Sequence, residues 1–138
     1  MKISLERKND HLLFEGKSET GNTVTIDGSR ANGGDDAGMS PMELLLTAVA
    51  ACASFDVSLI LKKQRQEVKS LKVDASGTRP EEGQVKPFKT IHLHFKLTGT
   101  PDESKVSRAV ELAVEKYCSV ASSLDPQIKV THDFSIEN

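Results

Sequence analysis

The chain has only two cysteines, Cys52 and Cys118, and no C-x-x-C pair. This excludes a cysteine zinc site and the disulfide framework of a small secreted domain. In a reducing cytosol two such thiols are either inert core residues or a redox pair. An excess of charge is also missing. The net charge of −2 gives no reason to expect nucleic acid or an anionic membrane as a partner. The N-terminal MKISLERKND lacks the apolar core of a signal peptide, and the window from Thr47 to Arg65 holds Asp56, Lys62, Lys63 and Arg65. Neither export nor a membrane span is therefore expected, and the chain reads as cytoplasmic. There is no internal repeat and no low-complexity segment. With 138 residues, 37% hydrophobic and 28% charged, the composition is that of one soluble globular domain over residues 1–138.

What is present is organised around Ser40 to Lys63, SPMELLLTAVAACASFDVSLILKK. Ser40 is a favoured N-cap, Pro41 suits the first helical position, and Glu43 completes a Ser-x-x-Glu capping box, so a helix is predicted to begin at Ser40. From Leu44 to Phe55 only Thr47 and Ser54 are polar, the pattern of a helix enclosed by protein. Ala48, Ala50, Ala51, Ala53 and Ser54 let another element approach closely around Cys52, and so much apolar surface predicts a dimer. Cys52 lies about three turns past the cap, out of reach of the helix dipole. Any thiolate there must be made by a cation from elsewhere in the fold.

Before this helix, Ile3 and Leu5, Leu12 to Glu15, and Val24 and Ile26 mark three short strands of a meander, with turns at Asn9-Asp10 and Thr20-Gly21-Asn22. Asp27 to Gly38, DGSRANGGDDAG, reads as a mobile loop feeding the helix. Asp35-Asp36 lacks EF-hand spacing and reads as solvated loop. After the helix, Leu71, Val73 and Ala75 alternate with polar residues up to Gly77, and Thr78 to Pro87 is a loop. Ile91, Leu93, Phe95 and Leu97 then form one face of a strand, with His92, His94 and Lys96 on the other. His92, His94 and His132 have no acid or cysteine at ligand spacing, which favours exposed strand histidines over a metal site. Thr100-Pro101-Asp102-Glu103 repeats the capping logic and predicts a second helix to about Tyr117, with further turns over Ser119 to Leu124 until Asp125-Pro126. Ile128, Val130, Phe134 and Ile136 mark a last strand. The order predicts an α+β fold with an antiparallel sheet wrapped on a long central apolar helix.

Ser40-Pro41-Met42-Glu43-Leu44-Leu45-Leu46, Ala51-Cys52 eleven residues beyond the proline, and Tyr117-Cys118-Ser119-Val120 make the chain resemble the OsmC/Ohr family, in its branch with P-M-E-L-L-L and Y-C-S-V. The resemblance implies an OsmC-like fold and an intertwined homodimer. It also implies thiol-dependent reduction of organic hydroperoxides without a cofactor or metal. Carried over, Cys52 is the peroxidatic and Cys118 the resolving cysteine, recycled by a small dithiol of the lipoyl kind. Such chemistry needs a thiolate, a cation beside it, an apolar pocket for an alkyl hydroperoxide and a nearby thiol to stop over-oxidation. Leu44, Leu45, Phe55 and Leu59 are candidates for the pocket. Peroxidase members hold an arginine by a glutamate ten residues before the reactive cysteine, where this chain has Met42. Glu43 is one residue off, with its capping role beside any catalytic one, and Arg30 is the best candidate for the arginine, followed by Arg7. The alternative is a dimeric ligand-binding or redox-sensing protein on the same scaffold.

Overall fold

The computed structural model describes all 138 residues, Met1–Asn138, and the chain divides into two compact units, Met1–Leu45 and Leu46–Asn138. In the first, β1 (Ile3–Arg7), β2 (Phe14–Ser18) and β3 (Thr23–Ile26) form the expected antiparallel meander. Its turns are made by the residues that mark them in the sequence. The Asn9 side-chain oxygen accepts from the N–H groups of His11 and Leu13 at 2.9 and 3.2 Å. Gly21, at φ 93°, takes the left-handed conformation that closes the second turn. Ile3, Leu5, Gly16, Val24 and Ile26 line one groove of about 400 Å³ with Leu44.

The loop after β3 is closed by its first residue. Asp27 is 2% exposed, and its carboxylate accepts from the N–H groups of Gly28, Asp35 and Ala37 at 2.7, 3.2 and 3.1 Å. Burial raises the pKa of this carboxyl, but the three N–H donors outweigh it and hold the pKa below the ordinary value. One 3₁₀ turn, Arg30–Asn32, lies inside the loop, and Gly34 packs so tightly on Gly28 that a Cβ there would meet the Gly28 carbonyl oxygen at 2.1 Å.

The central helix α1 runs Pro41–Lys63. Ser40 and Glu43 form the predicted capping box. At the other end Arg65, at φ 55°, stops the helix in a Schellman arrangement, with Gln66 N–H on Leu61 C=O and Arg65 N–H on Lys62 C=O. By length and composition alone α1 is apolar enough to cross a membrane. Its stripe of Val49, Ala53, Val57 and Leu61 is instead built into the core. The expectation of enclosure on nearly all sides fails within one chain. Phe55 and Leu59 remain 71% and 64% exposed, because this stripe spaced four residues apart covers only one narrow face.

The second unit holds a three-stranded sheet in the order β4-β5-β6, formed by β4 (Val68–Thr78), β5 (Thr90–Gly99) and β6 (Lys129–Glu137). Ile91, Leu93, Phe95 and Leu97 are all fully buried. Burying each of them contributes about 1.5–3 kcal/mol to this core. The helix α2 (Glu103–Leu112) packs on β6 and adds Val106, Ala109 and Val110. The pairing departs from the antiparallel expectation at one place: β4–β5 is antiparallel, but β5–β6 is parallel. The residues between β5 and β6 include α2, a crossover long enough to return the chain to the end of the sheet at which β5 began, as a parallel neighbour requires.

The start of α2 also moves relative to expectation. Asp102, not Thr100, is the N-cap and accepts from Lys105 N–H at 3.1 Å. Thr100 is held outside the helix, its N–H on the Glu67 carbonyl and its hydroxyl on the Glu67 carboxylate. Beyond Leu112 the helix widens into a π-turn, Ala113–Tyr117, and after Cys118 a single turn follows, α3 (Ser119–Ser122).

Candidate functional site

Cys52 sits on α1 beside the buried stripe and is itself half-buried. At 100° per residue it shares a helix face with Phe55 and Leu59, three and seven residues on. The thiol therefore lies among exposed apolar side chains. Cys118 follows the π-turn Ala113–Tyr117 in the same unit and is 2% exposed. Its thiol points to the Val49 carbonyl of α1 at 3.9 Å, one turn before Cys52, and its sulfur accepts from Ala121 N–H at 3.4 Å.

Cys118 thus reaches α1 within one turn of Cys52, and both cysteines are free thiols. Burial pushes the pKa of the Cys118 thiol up, and the neighbouring Cys52 adds to this against the lowering effect of the Ala121 N–H. Cys118 is thus held as a neutral thiol next to Cys52. Two neighbouring free thiols, one half-buried among apolar groups and one shielded and protonated, can pass between dithiol and disulfide.

The other sequence-predicted residues belong to the unit Met1–Leu45. Arg30 is exposed at the start of the 3₁₀ turn, and Arg7 is the exposed last residue of β1. Glu43 is exposed in the first turn of α1, where its Oε1 accepts from Ser40 N–H. Leu44 lines the groove under β1–β3.

A second polar cluster was beyond sequence reasoning. His92 Nε2 and His94 Nδ1 both hydrogen-bond Asp133 Oδ1, at 2.9 and 2.7 Å, and Thr131 Oγ1 lies 2.6 Å from His92 Nδ1. The His94 contact, followed by that of His92, holds the Asp133 carboxyl below its ordinary pKa. His132 turns the other way, toward Glu115 at 3.3 Å. The sequence signal was the alternation of Thr131, Asp133 and Ser135 with Val130, His132, Phe134 and Ile136, but which strand they faced depended on the parallel register that sets His94 opposite Asp133. Beside them Lys96 forms an ion pair with Asp74. No group of three or more His, Cys, Asp or Glu has an arrangement that could hold a metal ion.

Comparison with known proteins bears on these positions. A family model described as OsmC-like protein matches residues 33–133, which include both cysteines. The chain is 41% identical over 126 residues to Protein YhfA of Escherichia coli strain K12, covering 91% of this chain and 90% of that protein. A hypothetical protein from Aquifex aeolicus VF5 is similar in structure, with a TM-score of 0.80 and 33% identity over 99% of this chain and 97% of that one. The organic hydroperoxide resistance protein OhrB of Bacillus subtilis shares the fold, with a TM-score of 0.66 and 16% identity over 98% of both chains.

Proposed function

Because the chain belongs to the OsmC-like protein family, we propose that it is a thiol-dependent redox protein that reduces organic hydroperoxides through Cys52 and Cys118. The Cys52 thiolate attacks the peroxide oxygen, giving a sulfenic acid and an alcohol. The Cys118 thiol then condenses with the sulfenic acid to a disulfide and water, and a small dithiol of the lipoyl kind restores both thiols. The observation that carries this reading is the seating of the buried Cys118 thiol against the Val49 carbonyl of α1, one turn before Cys52. The exposed Phe55 and Leu59 on the Cys52 face suit an alkyl hydroperoxide better than hydrogen peroxide. Arg30 is proposed as the cation that favours the thiolate, and Glu43 as the residue that orients it. The family name of OhrB, a hydroperoxide resistance protein, agrees with this substrate class.

Residues 1–138 are proposed to act as one domain, since the family match of 33–133 reaches into both compact units. The working form is proposed to be an intertwined cytoplasmic homodimer, because Phe55 and Leu59 leave an apolar face that a second copy would cover. Stopped-flow mixing of the purified protein with cumene hydroperoxide and dihydrolipoamide tests the activity. Consumption of peroxide that requires Cys52 is expected, and its absence would leave the second reading. That reading, a dimeric ligand-binding or redox-sensing protein with little turnover, is favoured by Met42 at the position where peroxidase members carry glutamate.

A further inference from the structure

The helix α3 is four residues long, and its cap is a sulfur. So short a helix cannot persist on intrinsic propensity, because nucleation costs more than one turn of hydrogen bonds returns. Its N-terminal N–H groups need a partner, and the acceptor is Cys118 Sγ, 3.4 Å from Ala121 N–H, with Cys118 in the extended conformation of an N-cap residue at φ −69° and ψ 102°. The same sulfur carries the hydrogen directed at Val49 C=O, one turn before Cys52 on α1. One atom thus holds α3 in place and would form the disulfide.

We propose that Cys118 is a redox-controlled helix cap, so that oxidation of the thiol pair releases α3. The inference rests on the Cys52–Cys118 disulfide reading and goes beyond it to a conformational consequence. An organic hydroperoxide converts the Cys52 thiolate to the sulfenic acid, leaving an alcohol. The Cys118–Cys52 S–S bond then forms as the S–O bond of the sulfenic acid breaks, and the Cys118 proton leaves with that oxygen as water. A disulfide sets a bond of about 2.05 Å and a dihedral near 90° between the two sulfurs, which draws Cys118 Sγ toward α1 and out of line with Ala121 N–H. The S–H on Val49 C=O is lost in the same step. The π-turn Ala113–Tyr117 immediately before Cys118 supplies the slack, since π-turns occur as local insertions that adjacent backbone absorbs. Oxidation therefore alters the surface from Ser119 to Ser122 without any ligand, giving the scaffold a signal separable from turnover.

Residue-resolved amide exchange on the full-length protein tests this. In the reduced protein Ala121 N–H and Ser122 N–H are held by Cys118 Sγ and Cys118 C=O. After one equivalent of cumene hydroperoxide both are expected to exchange about fivefold faster, the effect of losing a cap of ordinary strength, and to recover on addition of dihydrolipoamide. Cys52→Ser is expected to keep the reduced protection with or without peroxide. Cys118→Ser, which substitutes an oxygen cap, is expected to do the same. A disulfide established by mass spectrometry with unchanged exchange at Ala121 and Ser122 would overturn the cap alone and leave the peroxide chemistry standing. If no disulfide forms at all, the disulfide reading falls and takes this inference with it.

Discussion

Ser40 and Glu43 satisfy each other's backbone: the Ser40 hydroxyl accepts from Glu43 N–H and Glu43 Oε1 accepts from Ser40 N–H, both at 3.2 Å. Two of the unpaired donors at the start of α1 are closed by this exchange. Glutamine serves at the same position, so Glu43→Gln is expected to leave the melting temperature unchanged. Glu43→Ala should lower it by roughly 3 °C, the equivalent of about 1 kcal/mol in a chain of this length. Pairing calorimetry with a hydroperoxide assay separates the roles. Lost turnover in the glutamine variant at unchanged stability supports a catalytic part for Glu43, and retained turnover removes it.

The Asp27 carboxylate predicts a pH dependence for the loop that follows β3. Because its folded pKa lies below its unfolded value, it stabilises the protein above pH of about 4, and this contribution is lost as pH falls through the folded pKa. Asp27→Asn should therefore melt below the wild type at pH 7, with the two curves converging as pH falls below about 4. Melting the pair from pH 7 down to pH 2.5 checks this. A difference that does not shrink in acid would show that side-chain shape, not charge, is responsible.

Gly77 in β4 lies under the ring of Phe88, where a Cβ would come within 2.5 and 2.6 Å of two ring carbons. Phe88 is only 7% exposed, so its ring has little room to retreat. Gly77→Ala is expected to destabilise by about 1–3 kcal/mol through overpacking. Chemical denaturation should show a lower midpoint with an unchanged slope.

Arg65 ends α1 at φ 55°, a conformation that glycine adopts freely and arginine does not. Arg65→Gly should stabilise by about 0.5–1 kcal/mol, reduced somewhat by the greater freedom of glycine in the unfolded chain. A rise in melting temperature is the expected readout. A fall would show that the arginine side chain contributes more than its backbone costs.

Alkaline conditions should test the shielding of Cys118. Its folded pKa is raised, chiefly by burial, so the stabilising effect is complete below the ordinary thiol value and is lost as pH rises through the folded pKa. Wild-type protein under reducing conditions should therefore lose stability above pH of about 9 faster than Cys118→Ser, whose hydroxyl does not ionise there. Parallel urea titrations at pH 7.5 and pH 10 measure the difference.

The sequence by itself determined the elements whose causes lie within a few residues. The capping box and Pro41 set the start of α1, the alternation through Ile91, Leu93, Phe95 and Leu97 set the face of β5, and Asn9 and Gly21 set the meander turns. The contexts of Cys52 and Cys118 pointed to the family. Tertiary structure decided what depends on where distant segments meet. The parallel return of β6 put Asp133 against His92 and His94, and no local pattern encodes the direction in which a crossover brings a strand back. The loop composition showed that Asp27 to Gly38 was irregular. That Asp27 would be buried and collect three N–H groups depended on the closed path of the backbone. The approach of Cys118 to the Cys52 region of α1 is of the same kind. The two cysteines are far apart in sequence, and only the packing of the segment after α2 against Val49 of α1 brings Cys118 within a turn of Cys52.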